Sequence, residues 1–138
     1  MTLDVTIGEA VIEDYDDDEH LTVYVGVQEC PKAKKDICGQ GKKRLTVWPR
    51  EAYRSGSTGF WEFFRKNNAL CKLYERWREN PESNDCDVAR IKPVLKAVLS
   101  IKRGSFKTEL DKDRLKWLQY WCKKAVRLYG KNAAIQFS

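Results

Sequence analysis

Histidine is nearly missing: the 138 residues hold one, His20. A histidine-based proton relay or metal cluster would have to rest on that single ring, and no G-x-S-x-G, H-E-x-x-H or C-x-x-C run occurs. The Asp/Glu-x-Lys pair that many nucleases place on a strand beside their metal is also absent. Long apolar runs are lacking too. Lys or Arg interrupts each one well short of the ~20 residues a membrane span needs, so no membrane association is expected. The N-terminus, MTLDVTIGEA, has neither the positive n-region nor the apolar h-region of a secretory signal, which points to a cytoplasmic protein. The five cysteines are odd in number and irregularly spaced, the pattern of free thiols and not of a disulfide framework.

Positive charge is missing from one part of the chain. Residues 1–27 carry eight acids (Asp4, Glu9, Glu13, Asp14, Asp16, Asp17, Asp18, Glu19) and no Lys or Arg. The remaining 111 residues carry all 26 basic residues against twelve acids. Such a chain either neutralises itself internally or presents a basic face to a polyanion.

What is present suits one α+β domain over residues 1–138, since 42% hydrophobic and 33% charged residues make a globular balance. The expected architecture is a mainly antiparallel sheet of three or four strands, an N-terminal meander able to take in a C-terminal strand, packed on one face by three or four helices. Leu3, Val5 and Ile7 alternate with polar residues, then the apolar set shifts to Ala10 and Ile12 across Gly8, which predicts a bulge. Tyr15 to Glu19 is expected to be a hairpin connection. Leu21, Val23, Val25 and Val27 form a second strand, and Arg44 to Trp48 a third, after a lysine-rich loop from Glu29 to Lys43. Helical spacing follows. Phe60, Phe63 and Phe64 make one apolar side, with Ser57 or Thr58 as the cap. Leu70, Leu73, Tyr74 and Trp77 make a second stripe after a break at Asn67-Asn68, and Val88, Ile91, Leu95 and Val98 a third, in which Pro93 is tolerable only near the helix start. The last helix is capped by Thr108 or Asp111 and closed by Gly130. Its stripes are Leu115, Leu118, Cys122, Ala125 and Tyr129, flanked by Trp117, Trp121 and Leu128. Ala133 to Ser138 alternates like a short strand.

Several motifs fail on inspection. Gly39 to Lys43 has the look of a phosphate loop, but Asp36 stands at the upstream glycine position and no Ser or Thr follows Lys42. Asp14, Asp16 and Asp18 have calcium-loop spacing, yet Glu19 and Val25 occupy the glycine and bidentate-glutamate positions. Cys30 and Cys38 flank the lysine-rich loop, where Lys32, Lys34 and Lys35 are expected to lower a thiol pKa. Their spacing matches no usual zinc knuckle with His20 and Cys86. No metal, no cofactor and no catalytic residue is assigned.

Two stretches suit ligands. Within residues 50–59, Arg50, Arg54, Ser57, Thr58 and Gly59 lead into a helix N-terminus, a setting for an anion, against which stands plain helix capping. Basic residues also recur beside aromatics: Arg65, Lys66, Arg76 and Arg78, then Lys112, Arg114, Lys116, Lys123, Lys124, Arg127 and Lys131. The last helix's set, Lys112, Arg114, Lys116, Lys123, Lys124 and Arg127, suits nucleic acid, although an amphipathic helix with a wet lysine side explains it without a ligand and is the favoured reading. The reading that results is a non-catalytic binding or regulatory protein with a macromolecular partner. A protein is favoured over nucleic acid because of the acidic N-terminal segment. A small enzyme or ligand-binding domain using residues 50–59 is the further alternative.

Overall fold

A computed structural model describes residues 3–17, 20–32, 51–56, 59–79 and 87–138. The fold is α+β: a five-stranded, mainly antiparallel sheet packed against about four helices. Strand β1 spans Val5–Asp17 and β2 His20–Glu29, followed by the two-residue β3, Tyr53–Arg54. Helices α1 (Phe60–Phe63) and α2 (Asn68–Glu79) precede β4 (Asp87–Arg90). A 3₁₀ turn leads into α3 (Leu95–Ser100), a second spans Arg103–Ser105, and α4 (Glu109–Tyr129) is followed by β5 (Ala133–Phe137). The strand order is β2-β1-β5-β4, with β3 pairing β1 as well. The C-terminal strand therefore does return to the sheet, and lies in its interior.

The two sequence stripes from different helices meet on one face of this sheet. Val5, Ile7, Ala133, Ile135 and Phe137 share a core with Phe60, Phe63, Phe64, Leu70, Trp77, Leu115, Leu118, Trp121 and Cys122. Its rings make a continuous run, with Trp117 5.1 Å from Phe60, Phe63 5.2 Å from Phe106 and Tyr74 5.1 Å from Phe137. Edge-to-face and offset contacts of this kind add to the area the rings bury. Helix α4 begins at Thr108, whose Oγ1 accepts the Asp111 backbone N–H at 3.2 Å, and ends at Gly130, as its sequence predicts. Asn67 marks the predicted break, its Oδ1 accepting the Leu70 N–H at 3.0 Å to cap α2. Pro93 stands in the first turn of the 3₁₀ segment, where its missing N–H costs nothing.

The structure differs from the sequence reading at five places. Gly8 is not at a bulge towards β5: the β1–β5 register runs through it without an inserted residue, and the β1–β2 register starts at it. The apolar shift arises because β1 buries both faces, with Ala10, Val88 and Ala134 forming a small cluster behind the sheet, against Val27. Strand β1 runs on to Asp17, opposite His20, so the acidic stretch is strand for longer than expected. Val88 belongs to β4, paired opposite Gln136, and not to a helix. The cap of α1 is Gly59, at φ 78°, and makes no side-chain cap bond. On α4, Tyr129 is half-buried and Leu128 is 47% exposed, so the second stripe stops at Trp121. The third strand expected at Arg44 to Trp48 and most of the lysine-rich loop lie outside the described residues.

Candidate functional site

Of the predicted anion site, Arg54 and Gly59 are described, whereas Arg50, Ser57 and Thr58 lie outside the described residues. Strand β3 lays Arg54 against α4, with its guanidinium carbon 5.7 Å from the Trp117 ring centroid. Trp117 is itself anchored, its indole N–H donating to the Glu51 carbonyl at 2.7 Å. Gly56 donates its backbone N–H to the Asp4 carboxylate, tying the loop to the start of the chain. At Gly59 the left-handed backbone leaves room for Arg114 of α4; a Cβ there would come within 2.7 Å of Arg114 Nη2. Burial lowers the Arg54 pKa, and the positive charge of Arg114 lowers it further, against opposing fields from Glu51 and Asp113. Helix α1 has four residues, too short to add a useful dipole. The charge at this place comes from arginine side chains, one of which the sequence had assigned to a different face.

Next to it lies a knot of charges around Asp111, the buried charged residue of the core, 2% exposed. Its Oδ1 accepts from Arg114 at 2.7 Å; its Oδ2 accepts from Lys66 at 2.8 Å and from the Thr108 hydroxyl at 3.0 Å. Burial alone would raise this carboxyl, but those three donors outweigh it and hold the pKa below the ordinary value. A cleft of about 320 Å³ opens here, lined by Lys66, Ser105, Phe106, Lys107, Thr108 and Asp111. Since its one carboxylate is already engaged by three donors, it has no spare base. Sequence reasoning missed this knot; the Thr108-x-x-Asp111 spacing, a capping-box variant with an arginine three residues on, was the available signal.

A depressed native pKa has a definite consequence for stability. The contribution of Asp111 is present in full above the unfolded carboxyl's value and is lost as pH falls through the lower native value. Urea titrations of wild type and Asp111→Asn should show the variant less stable at neutral pH, with the gap closing in acid. A gap of constant size down to about pH 2 would contradict this assignment.

The six basic residues predicted on α4 separate into two sets. Lys112, Lys116, Lys123 and Arg127 recur at spacings of four, seven and four residues, which keeps them on one side of the helix. Lys123 and Arg127 are exposed, and Lys112 and Lys116 are half-buried. Arg114 turns away to Asp111 and Gly59. Lys124 lies flat over aromatics, its Nζ 5.1 Å from the Trp121 ring centroid and 5.7 Å from that of Tyr120. The four-residue stripe is widened by a neighbour no sequence period shows. Gln119 donates to the carbonyls of Val98 at 3.0 Å and Ile101 at 2.8 Å, clamping the end of α3 to the middle of α4. The exposed Lys102 and Arg103 follow directly from that clamp, and Lys92, Lys96, Lys107 and Lys131 are exposed as well. Residues 88–138 hold 13 Lys or Arg and three acids, of which Asp111 is buried and Glu109 is 3.5 Å from Lys112.

Backbone pairing sets most of the acidic segment on a part of β1 that β5 does not reach. Strand β5 pairs β1 over Val5–Glu9, whereas Glu13, Asp14, Asp16 and Asp17 belong to the stretch of β1 that pairs only with β2. At ~3.3 Å per residue they stand roughly 13–26 Å along that two-stranded ribbon from Glu9.

The thiols differ from expectation. Cys30 is buried, and burial raises its pKa to about 11, with Lys124 pulling the other way, so neighbouring lysines do not make it reactive. Burial likewise raises Cys122, and Cys71 is partly buried; all three are free. Cys38 and Cys86 lie outside the described residues, as do the side chains of His20 and Asp14 to Asp18. Among the described residues no group of three His, Cys, Asp or Glu side chains is placed to hold a metal, and no helix is long and apolar enough to cross a membrane. No protein-family model, curated protein or solved structure matches the chain.

Proposed function

We propose that this protein is a non-catalytic binding protein for nucleic acid, held through the basic face of α4 and the adjoining end of α3. The observation that carries the reading is the run of Lys112, Lys116, Lys123 and Arg127 on one side of α4, widened by Lys102 and Arg103 through the Gln119 clamp. From Lys112 to Arg127 the stripe is about 22 Å long, enough to meet several successive phosphates. Repulsion by the acidic segment had favoured a protein partner. Its place on the ribbon beyond Glu9 weakens that objection.

A protein partner would be supported by a contiguous apolar patch. Among the described residues the exposed large apolar ones are Tyr53, Leu99, Leu110 and Leu128, and the last two stand about 27 Å apart along α4. Free thiols at Cys30, Cys71 and Cys122 suit a reducing compartment, where such a protein would work.

Anisotropy titrations with a labelled duplex at several salt concentrations test the reading. If about five phosphates are neutralised, log K should fall against log salt with a slope of about −4 to −5. Reversing Lys116 and Lys123 together to Glu should weaken binding at least about tenfold and flatten the slope by about two. A salt-independent signal, or a double variant that binds like wild type, would remove nucleic acid as the partner.

A further inference from the structure

We propose that the acidic ribbon of β1 and β2 docks on the basic face of α4 of a second copy of this chain, and that it excludes nucleic acid from that face. Only the exclusion rests on the function proposed above. Beyond Glu9 the pairing of β1 with β5 ends, and among the described residues 10–17 run on beside 20–27 of β2 alone. This ribbon carries four acids, Glu13, Asp14, Asp16 and Asp17, and no Lys or Arg. Across the ladder the acids stand opposite Tyr24, Val23, Leu21 and His20, so the ribbon holds no lysine or arginine partner of its own. A two-stranded ribbon gains little stability by itself.

The basic face is short of counter-charge in the same way. Lys123 and Arg127 are exposed, and neither forms an ion pair with a described residue. The ribbon is tied at its base. Helix α4 enters β5 through the 3₁₀ turn Gly130–Asn132, and Asn132 Nδ2 donates to Glu9 Oε1 at 3.2 Å and to the Ala10 carbonyl at 3.0 Å. With ribbon and helix joined in this way and those two cations left without acids, the matching charge comes from another molecule. The spacings agree. Alternate residues of a strand, such as Asp14 and Asp16, recur every ~6.6 Å, and residues four apart on a helix, such as Lys123 and Arg127, every ~6 Å. Ribbon and helix face are different surfaces, so the contact is head-to-tail.

Sedimentation velocity over about 10–500 µM protein, without nucleic acid, tests the docking. At about 50 mM salt the mean mass should rise with concentration above that of one chain, and at about 500 mM salt it should return to it. The triple variant Asp14→Asn, Asp16→Asn, Asp17→Asn and the double variant Lys123→Glu, Arg127→Glu should each self-associate at least about tenfold more weakly than wild type. Mixed, they should associate again, because the first keeps the basic face and the second keeps the ribbon. A wild type that stays at one chain throughout, association indifferent to salt, or a mixture no heavier than its parts overturns the proposal. A labelled duplex then separates the two readings. It should dissolve the wild-type complex and bind the triple variant about twofold or more tighter than wild type. A duplex that binds while the complex persists overturns the exclusion. A duplex that binds neither protein, with the mixture still associating, supports the docking and removes nucleic acid as the partner.

Discussion

Replacing Trp117 by alanine is expected to destabilise the fold by about 3–5 kcal/mol, the usual cost of truncating a buried indole. Trp117 is 1% exposed and sits where β3, α1 and α4 meet. Its loss opens a void beside Phe60 that α1, only four residues long and tied to a left-handed Gly59, is poorly placed to fill. The Glu51 carbonyl also loses the indole N–H it accepts at 2.7 Å. Urea titration followed by circular dichroism reads the total. Trp117→Phe separates the two contributions, because it keeps most of the ring volume and loses the hydrogen bond; about 1–2 kcal/mol is expected there. A loss below about 1 kcal/mol for the alanine variant would show that this corner repacks freely.

A comparable loss is expected from adding a single methyl group at Gly8. A Cβ there would collide with the Gln28 carbonyl oxygen and stand 2.7 Å from its carbon, both main-chain atoms that cannot rotate aside. Gly8 is paired to Glu29 of β2 on one side and to Ala134 of β5 on the other, so neither neighbour can move off without breaking a ladder. Gly8→Ala should cost on the order of 3 kcal/mol, at the upper end for overpacking. Gly104 is the matched control: a Cβ there meets nothing within 4 Å, and Gly104→Ala should stay within about 0.5 kcal/mol of wild type. Equal effects at the two glycines would mean that β1 and β2 do not approach so closely at Gly8.

Much of this fold was legible because its signals are local. Thr108 and Gly130 bound α4, and Asn67 breaks α1 from α2, through hydrogen bonds that span only a few residues. The stripes Phe60-Phe63-Phe64 and Leu70-Leu73-Tyr74-Trp77 are buried as their period requires. Val88 went the other way. It stands three residues before Ile91, a helical spacing, yet four residues are too few for period to separate strand from helix, and pairing with β5, nearly fifty residues on, decides it. Gly8 was singled out correctly and explained wrongly: a strand buried on both faces produces the same phase change as a bulge.

The sites depended still more on distance. Cys30 follows a strand and precedes lysines, and its burial in the shared core, with Glu29 beside it, raises its thiol instead of lowering it. The six basic residues of α4 are equivalent in sequence. Asp111 and Gly59 draw Arg114 to one side and the rings of Tyr120 and Trp121 hold Lys124, while Lys112, Lys116, Lys123 and Arg127 remain together.

What the sequence by itself determined is therefore what the backbone and the nearest few residues can decide: an α+β class, the limits of α4, the apolar faces of α1 and α2, and a surplus of positive charge after residue 27. Tertiary structure alone decided which strands meet, which charges are buried and paired and which line up on one side of α4. Pairing and burial join residues far apart in the chain, and the energy of a charge depends on what surrounds it in space, which no local period records.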